Sequence, residues 1–272
     1  MSDFSAAQSA PISGAFSIGG CLRRALSTFF ANFISFNLLG LIVMVPGLVV
    51  LFLLFGGTFL ALMAYDPATS AAPPEIGGDF AFMILGGGLI MLILQYLLTG
   101  AVVYGTLQHL DGQRPSIASS LSQALRRIVP IVLVAIVSMI LVWIGMVLLI
   151  VPGIIIALML CVAIPVVMVE GRGVFASMSR SRALTKGARW RLLGLFLVAV
   201  IGTIVLTTII SMAVALVMLF LGPVGMTIST IVDVAIQLFT TVFLAVLLAV
   251  TYHDLRVAKE GVSTAQLAAV FD

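Results

Sequence analysis

Residues 170–191 read EGRGVFASMSRSRALTKGARWR, and the fold follows from how this stretch is read. It carries Arg172, Arg180, Arg182, Lys186, Arg189 and Arg191, six of the chain's 13 basic residues, although only 8% of all residues are charged. An apolar run abuts each end. In a chain that is 62% hydrophobic, with a mean hydropathy of +1.31, such a cluster belongs at a membrane surface. Lys and Arg collect in short cytoplasmic loops, so the stretch sets the sidedness of what precedes and follows it.

Several apolar runs exceed the ~20 residues needed to cross a ~30 Å hydrocarbon core, which makes the chain a polytopic helical membrane protein. The net charge is only +3. Because the basic residues sit beside apolar runs, they read as topology signals and not as a nucleic-acid footprint. Cys21 and Cys161 lie far apart without CxxC spacing and are expected to be packing residues.

Working outward, residues 128–169 are almost wholly apolar and lie between Arg114, Arg126 and Arg127 on one side and the organising cluster on the other. An even number of crossings must separate two cytoplasmic segments. The run is long enough for two, with Val151-Pro152-Gly153 as the expected turn. The same parity argument applies to residues 192–252, where Leu221-Gly222-Pro223-Val224-Gly225 is the expected turn. Upstream, a first run at 34–64 and a second at 80–107 flank a stretch at 65–79 with Asp66, Glu75, Asp79 and no Lys or Arg, which places it outside. Pro46 would reverse that sidedness if it made a turn, so a kink is expected there.

The expected fold is therefore all-α integral membrane, with six transmembrane helices and both termini inside. Residues 1–15 read as a disordered leader, 16–261 as the membrane domain with hairpins at about 34–107, 128–169 and 192–252, and 262–272 as a short amphipathic tail. That tail opens on the capping-box pattern Ser263-Thr264-Ala265-Gln266.

An internal repeat is legible. Ser17, Ile18, Leu22, Ala25, Leu26 and Phe29 correspond without a gap to Ser116, Ile117, Leu121, Ala124, Leu125 and Ile128. Val174, Met178 and Ser181 make a weaker third copy. The apolar positions fall on one helical face, so each hairpin is expected to follow an amphipathic helix lying in the cytoplasmic headgroup boundary. Asp111-Gly112, Glu170-Gly171 and Glu260-Gly261 close the three units. Every unit starts on the same side, so the repeats are parallel.

Val151-Pro152-Gly153-Ile154, Ala163-Ile164-Pro165, Glu170-Gly171-Arg172-Gly173-Val174-Phe175, Ser181-Arg182-Ala183-Leu184-Thr185-Lys186-Gly187 and Trp190-Arg191-Leu192-Leu193 together are similar to a known pattern. The chain resembles the membrane domain of glycerophosphoryl diester phosphodiesterases and the related YciC-like bacterial inner-membrane proteins, and Tyr252-His253-Asp254-Leu255-Arg256 resembles their ending. The resemblance implies a multi-pass module of the bacterial inner membrane. It does not extend to the catalytic domain, whose metal chemistry needs His among several carboxylates. The two histidines, His109 and His253, sit at expected cytoplasmic helix ends, where capping is the simpler role.

Two candidate sites remain. Asp233 is the one ionisable residue well inside an apolar run, and Thr230, Gln237 and Thr241 share its helical stripe. Thr203, Thr207 and Ser211 make a comparable stripe on the preceding span. An intramembrane carboxylate costs about 2.5–3.5 kcal/mol on insertion scales and should face protein or water. It serves either interhelical hydrogen bonding or proton and ion handling. The second candidate is Arg180, Arg182, Lys186, Arg189 and Arg191 as contacts to anionic lipid, worth roughly 1 kcal/mol per basic residue near the surface. The alternatives there are orientation alone or a protein-docking surface, and Arg189-Trp190-Arg191 reads as an interfacial anchor. No phosphate-binding glycine loop, nucleophile elbow or metal-ligand cluster occurs, so neither an enzyme nor a cofactor is expected. The leading expectation is a non-catalytic module of lipid or envelope organisation, with membrane lipid and a protein partner or second copy as partners. The alternative is a small permease or lipid transporter built on Asp233.

Overall fold

The structure, a computed structural model, describes residues 16–63, 78–221 and 223–260. These residues form α1 (Ile18–Ala31), α2 (Phe33–Met63), α3 (Gly78–Leu110), α4 (Ile117–Arg126), α5 (Ile128–Leu148), α6 (Ile150–Leu160), α7 (Ala163–Glu170), α8 (Val174–Thr185), α9 (Arg189–Leu221) and α10 (Pro223–Glu260), with no strand among them. The expected leader, most of the acidic loop and the capping-box tail lie outside the described residues.

Six segments are long and apolar enough to cross a membrane: Phe33–Gly57, Ile84–Leu110, Ile128–Leu148, Ile150–Glu170, Arg189–Leu216 and Ile228–Glu260. They are apolar around most of their circumference, which suits lipid or a protein interior and nothing in water. Two of them form the centre. Half of the apolar window of α10 and 44% of that of α3 are buried, against 11% for α9, which turns most of its surface outward. Leu98, Val102, Val246, Leu247 and Tyr252 carry the central packing.

One expected break moves, and one appears that was not expected. Between α5 and α6 the chain turns at Leu149, a single extended residue (φ −163°, ψ 140°), and not at Val151-Pro152-Gly153. Pro152 and Gly153 lie in the first turn of α6, where proline is tolerated because its missing N–H would have had no intrahelical partner. Gly153 has a different use. A Cβ there would stand 2.7 Å from the Met146 nitrogen, and one on Gly145 2.9 Å from the Gly153 Cα, so the two glycines let the backbones of α5 and α6 touch. The break without a counterpart in the sequence reading, at Cys161-Val162, divides the fourth span into α6 and α7. Pro165, three residues into α7, cannot donate to the Cys161 carbonyl, so the helix is interrupted where that bond would have formed. Pro46 lies inside a continuous α2, and Pro223 opens α10 at the first helical position, which its fixed φ favours.

The short helices α1, α4 and α8 precede the three pairs of spans, and on α1 much of the apolar face expected in a headgroup boundary is covered by protein. On α1 the buried residues are Cys21, Ala25, Thr28 and Phe29, and what covers them is protein, with α10 and α9 packed against the helix. Phe29, fully buried, meets Phe239 edge-on at 4.9 Å and Phe243 at 5.7 Å. Cys21 Sγ lies 3.6 Å from Thr251 Oγ1. The neighbour on the buried side of α1 is chiefly α10. Ser17 and Ser116 cap α1 and α4, accepting from the backbone N–H of Gly20 and Ser119.

This docking has a direct test. Burial pushes the Cys21 thiol up to about 12, so little thiolate is present near neutral pH and the sulfur is enclosed. In a chain lacking Cys161, a membrane-permeant maleimide is expected to leave Cys21 unmodified until the protein is denatured. Rapid labelling of the native protein would place α1 against lipid.

Candidate functional site

At the end of the bundle where α1, α8 and the C-terminal part of α10 meet, charged side chains form a layer. Glu170, at the end of α7, accepts from Arg180 Nε at 3.0 Å and from the Tyr252 hydroxyl at 3.2 Å through Oε1. Its Oε2 lies 2.6 Å from Arg172 Nε. The same Arg180 donates through Nη2 to Glu260 at the end of α10, and Arg256 Nε reaches Glu260 at 3.0 Å one helical turn earlier. Glu260 raises the already high pKa of Arg180, with Glu170 adding to the effect. Lys259 donates to the Ala183 carbonyl of α8. On the other flank, Arg24 of α1 pairs with Asp254 at 2.7 Å, where the carboxylate side chain is only 5% exposed.

The basic cluster is thereby divided. Arg172 and Arg180 face carboxylates of the protein. Arg182, Lys186 and Arg191 are exposed, and none of the three makes an ion pair among the described residues. Arg191 donates to the Phe16 carbonyl at 3.3 Å. Arg189 is half-buried and Trp190 is 83% exposed. Two of the acid–glycine stops owe their form to helix ends: Gly112 (φ 78°) and Gly171 (φ 64°) take the left-handed conformation that ends a helix. The carboxylate of the second stop, Glu170, and that of the third, Glu260, are the partners of Arg180.

The second feature lies deeper. A cavity of about 810 Å³ opens between α2, α3 and α10 and contains Asp233, Gln237, Thr230 and Thr241 of α10 with Gln95 and Tyr96 of α3. Asp233 and Gln237 are exposed to it. The walls are leucine, methionine and valine, including Leu41, Met44 and Leu48 of α2 and Leu92 of α3. Leu41 and Val45 are 45% and 47% exposed, so the cavity is a groove that opens on the lateral surface of the bundle. Gly40 and Gly47 explain its shape. A Cβ on Gly40 would lie 2.3 Å from Leu238 Cδ1 of α10, and one on Gly47 1.9 Å from Leu94 Cδ1 of α3. Here α2 is drawn onto both neighbours, and the space left between the contacts is the groove.

Of the residues singled out in the sequence, Asp233, Gln237 and Thr230 therefore come together, and Thr207 does not join them. Its hydroxyl donates to the Ile204 carbonyl of its own helix, α9, at 3.1 Å. Gln95 takes the place expected for that threonine, its amide donating to Thr241 Oγ1 at 3.4 Å. The polar stripe on α3, Gln95 with Thr99 one turn on, is visible in the sequence, but nothing there says which helix it faces. Among the described residues no three His, Cys, Asp or Glu side chains gather in a way that could hold a metal ion.

No family model, curated protein or solved structure matches the chain.

The charged layer predicts unequal consequences for equal-looking arginines. Replacing Arg180 with Gln removes the guanidinium that Glu170 and Glu260 share, leaves Glu170 with Arg172 and the Tyr252 hydroxyl alone, and is expected to lower stability by about 1–3 kcal/mol. Arg182→Gln, at an exposed position, should stay within about 0.5 kcal/mol. Thermal unfolding of the two variants in detergent distinguishes them, and equal losses would refute the division.

Proposed function

We propose that this chain is a non-catalytic, multi-pass membrane module that works on lipid at its cytoplasmic face. The observation that carries the reading is the divided cluster: Arg182, Lys186 and Arg191 stand exposed without carboxylate partners among the described residues, beside the exposed Trp190. Such a surface attracts anionic headgroups at roughly 1 kcal/mol per basic residue. On this view Arg189 joins them, and Arg180 is taken up by its two carboxylates. In this reading both termini are cytoplasmic and the unit of a short helix followed by two spans is used three times in parallel. The likeness of the turn and cluster motifs to phosphodiesterase membrane domains and YciC-like proteins supports a place in the bacterial inner membrane.

A second reading, a small permease or lipid transporter, is favoured by the groove. Its apolar walls and polar lining residues suit an amphipathic molecule entering sideways from the bilayer.

Two experiments test the first reading. Single-cysteine labelling from outside, in a background without Cys21 and Cys161, should mark positions between 66 and 78 and spare Ser179; labelling at Ser179 would invert the topology. Replacing Arg182, Lys186 and Arg191 with Gln should reduce retention of anionic lipid about tenfold or more while the protein still inserts. Native mass spectrometry reads the bound lipid, and unchanged retention would leave the cluster with orientation as its one role.

A further inference from the structure

We infer that the groove between α2, α3 and α10 takes a cationic amphiphile, a molecule with an alkyl chain and an amine or quaternary ammonium head, held by Asp233 at one end and by the apolar walls along its length. The inference rests on the reading of the groove as a ligand site and adds the sign of the charge.

Asp233 is the only Asp, Glu, Lys, Arg or His among the lining residues. It is exposed to the groove and makes no ion pair among the described residues. Among the described residues, the helices that form the groove bring no cation close to it. α2 and α3 contain no Lys or Arg, and the first on α10 beyond Asp233 is Arg256, 23 residues on and about 35 Å away at ~1.5 Å per residue. Among apolar walls an uncompensated carboxylate draws a positive group and repels a negative one.

Position and size narrow the class. Asp233 lies about 31 Å along α10 from the Arg24–Asp254 pair at ~1.5 Å per residue, whereas Thr241 is only about 20 Å from it. The groove thus runs from the middle of the bundle toward the end opposite the charged layer, with the carboxylate near its far end. A ligand whose head sits at Asp233 lays its chain back along Met44, Leu41 and Leu238 toward Thr241. A volume of about 810 Å³ falls within the range of pockets that enclose molecules of this size. A small inorganic cation would leave the apolar walls unused.

The test uses full-length protein in phosphatidylcholine nanodiscs and radiolabelled dodecyltrimethylammonium below its micellar concentration, with empty nanodiscs subtracted. Saturable binding near one per chain is expected, displaced by unlabelled probe and not by dodecyl sulfate. Asp233→Asn should weaken it at least tenfold, Asp233→Glu should retain it, and Leu48→Trp, which fills the groove, should block it. Arg182→Gln should have no effect. If dodecyl sulfate or dodecanol competes equally and Asp233→Asn changes nothing while Leu48→Trp still blocks, charge selection is overturned and the groove survives as a ligand site. If no saturable binding occurs, or Leu48→Trp leaves it unchanged, the groove reading falls and the inference with it.

Discussion

One guanidinium shared by two carboxylates holds three helices of this protein at one level. Arg180 sits on α8, Glu170 ends α7 and Glu260 ends α10, so the pairs join segments 10 and 80 residues apart in the chain. Within hydrocarbon, helices gain nothing from the hydrophobic effect when they associate, because lipid tails are as apolar as leucine. Specific polar contacts at the membrane surface therefore carry much of the register. Arg24 with Asp254 and Lys259 with the Ala183 carbonyl extend the same layer across α1 and α8. With the carboxylates engaged inside, the exposed cations Arg182, Lys186 and Arg191 are left to face outward.

Below that layer, shape replaces charge. Gly145 and Gly153 bring α5 onto α6, and Gly40 and Gly47 draw α2 onto α10 and α3. Close contact at a few glycines implies separation elsewhere along straight helices, and the groove that contains Asp233 is such a separation. The carboxylate does not act as an interhelical hydrogen-bonding partner for the threonines of α9, since Thr203 and Thr207 give their hydroxyls to carbonyls of their own helix. A carboxylate at the wall of a lateral opening has a different use from one buried in a packed interface.

The number of spans was legible in the sequence because it depends on two local quantities, run length and the position of basic residues. Parity between charged segments placed two spans in 128–169, and the structure has Ile128–Leu148 and Ile150–Glu170 there. The turn itself was displaced to Leu149, since Pro and Gly mark where a helix can begin or be approached as readily as where it ends. The one-sided pattern of α1 was also legible, down to Ala25 and Phe29. Its neighbour was not, because a lipid tail and the face of α10 demand the same apolar side chains.

By itself the sequence determined the membrane class, the six apolar segments, the helix stops at Gly112 and Gly171, and the identity of the acid inside the last apolar segment. Each of these follows from hydropathy or backbone preference acting within a few residues. Only the tertiary structure decided which arginine is spent on Glu170 and Glu260, that Asp254 belongs to Arg24, and that Gln95 and not Thr207 stands with Asp233. Those are pairings across 10 to 230 residues. They depend on where the glycine contacts let helices converge, and helical periodicity gives the face of each residue without naming the helix that meets it.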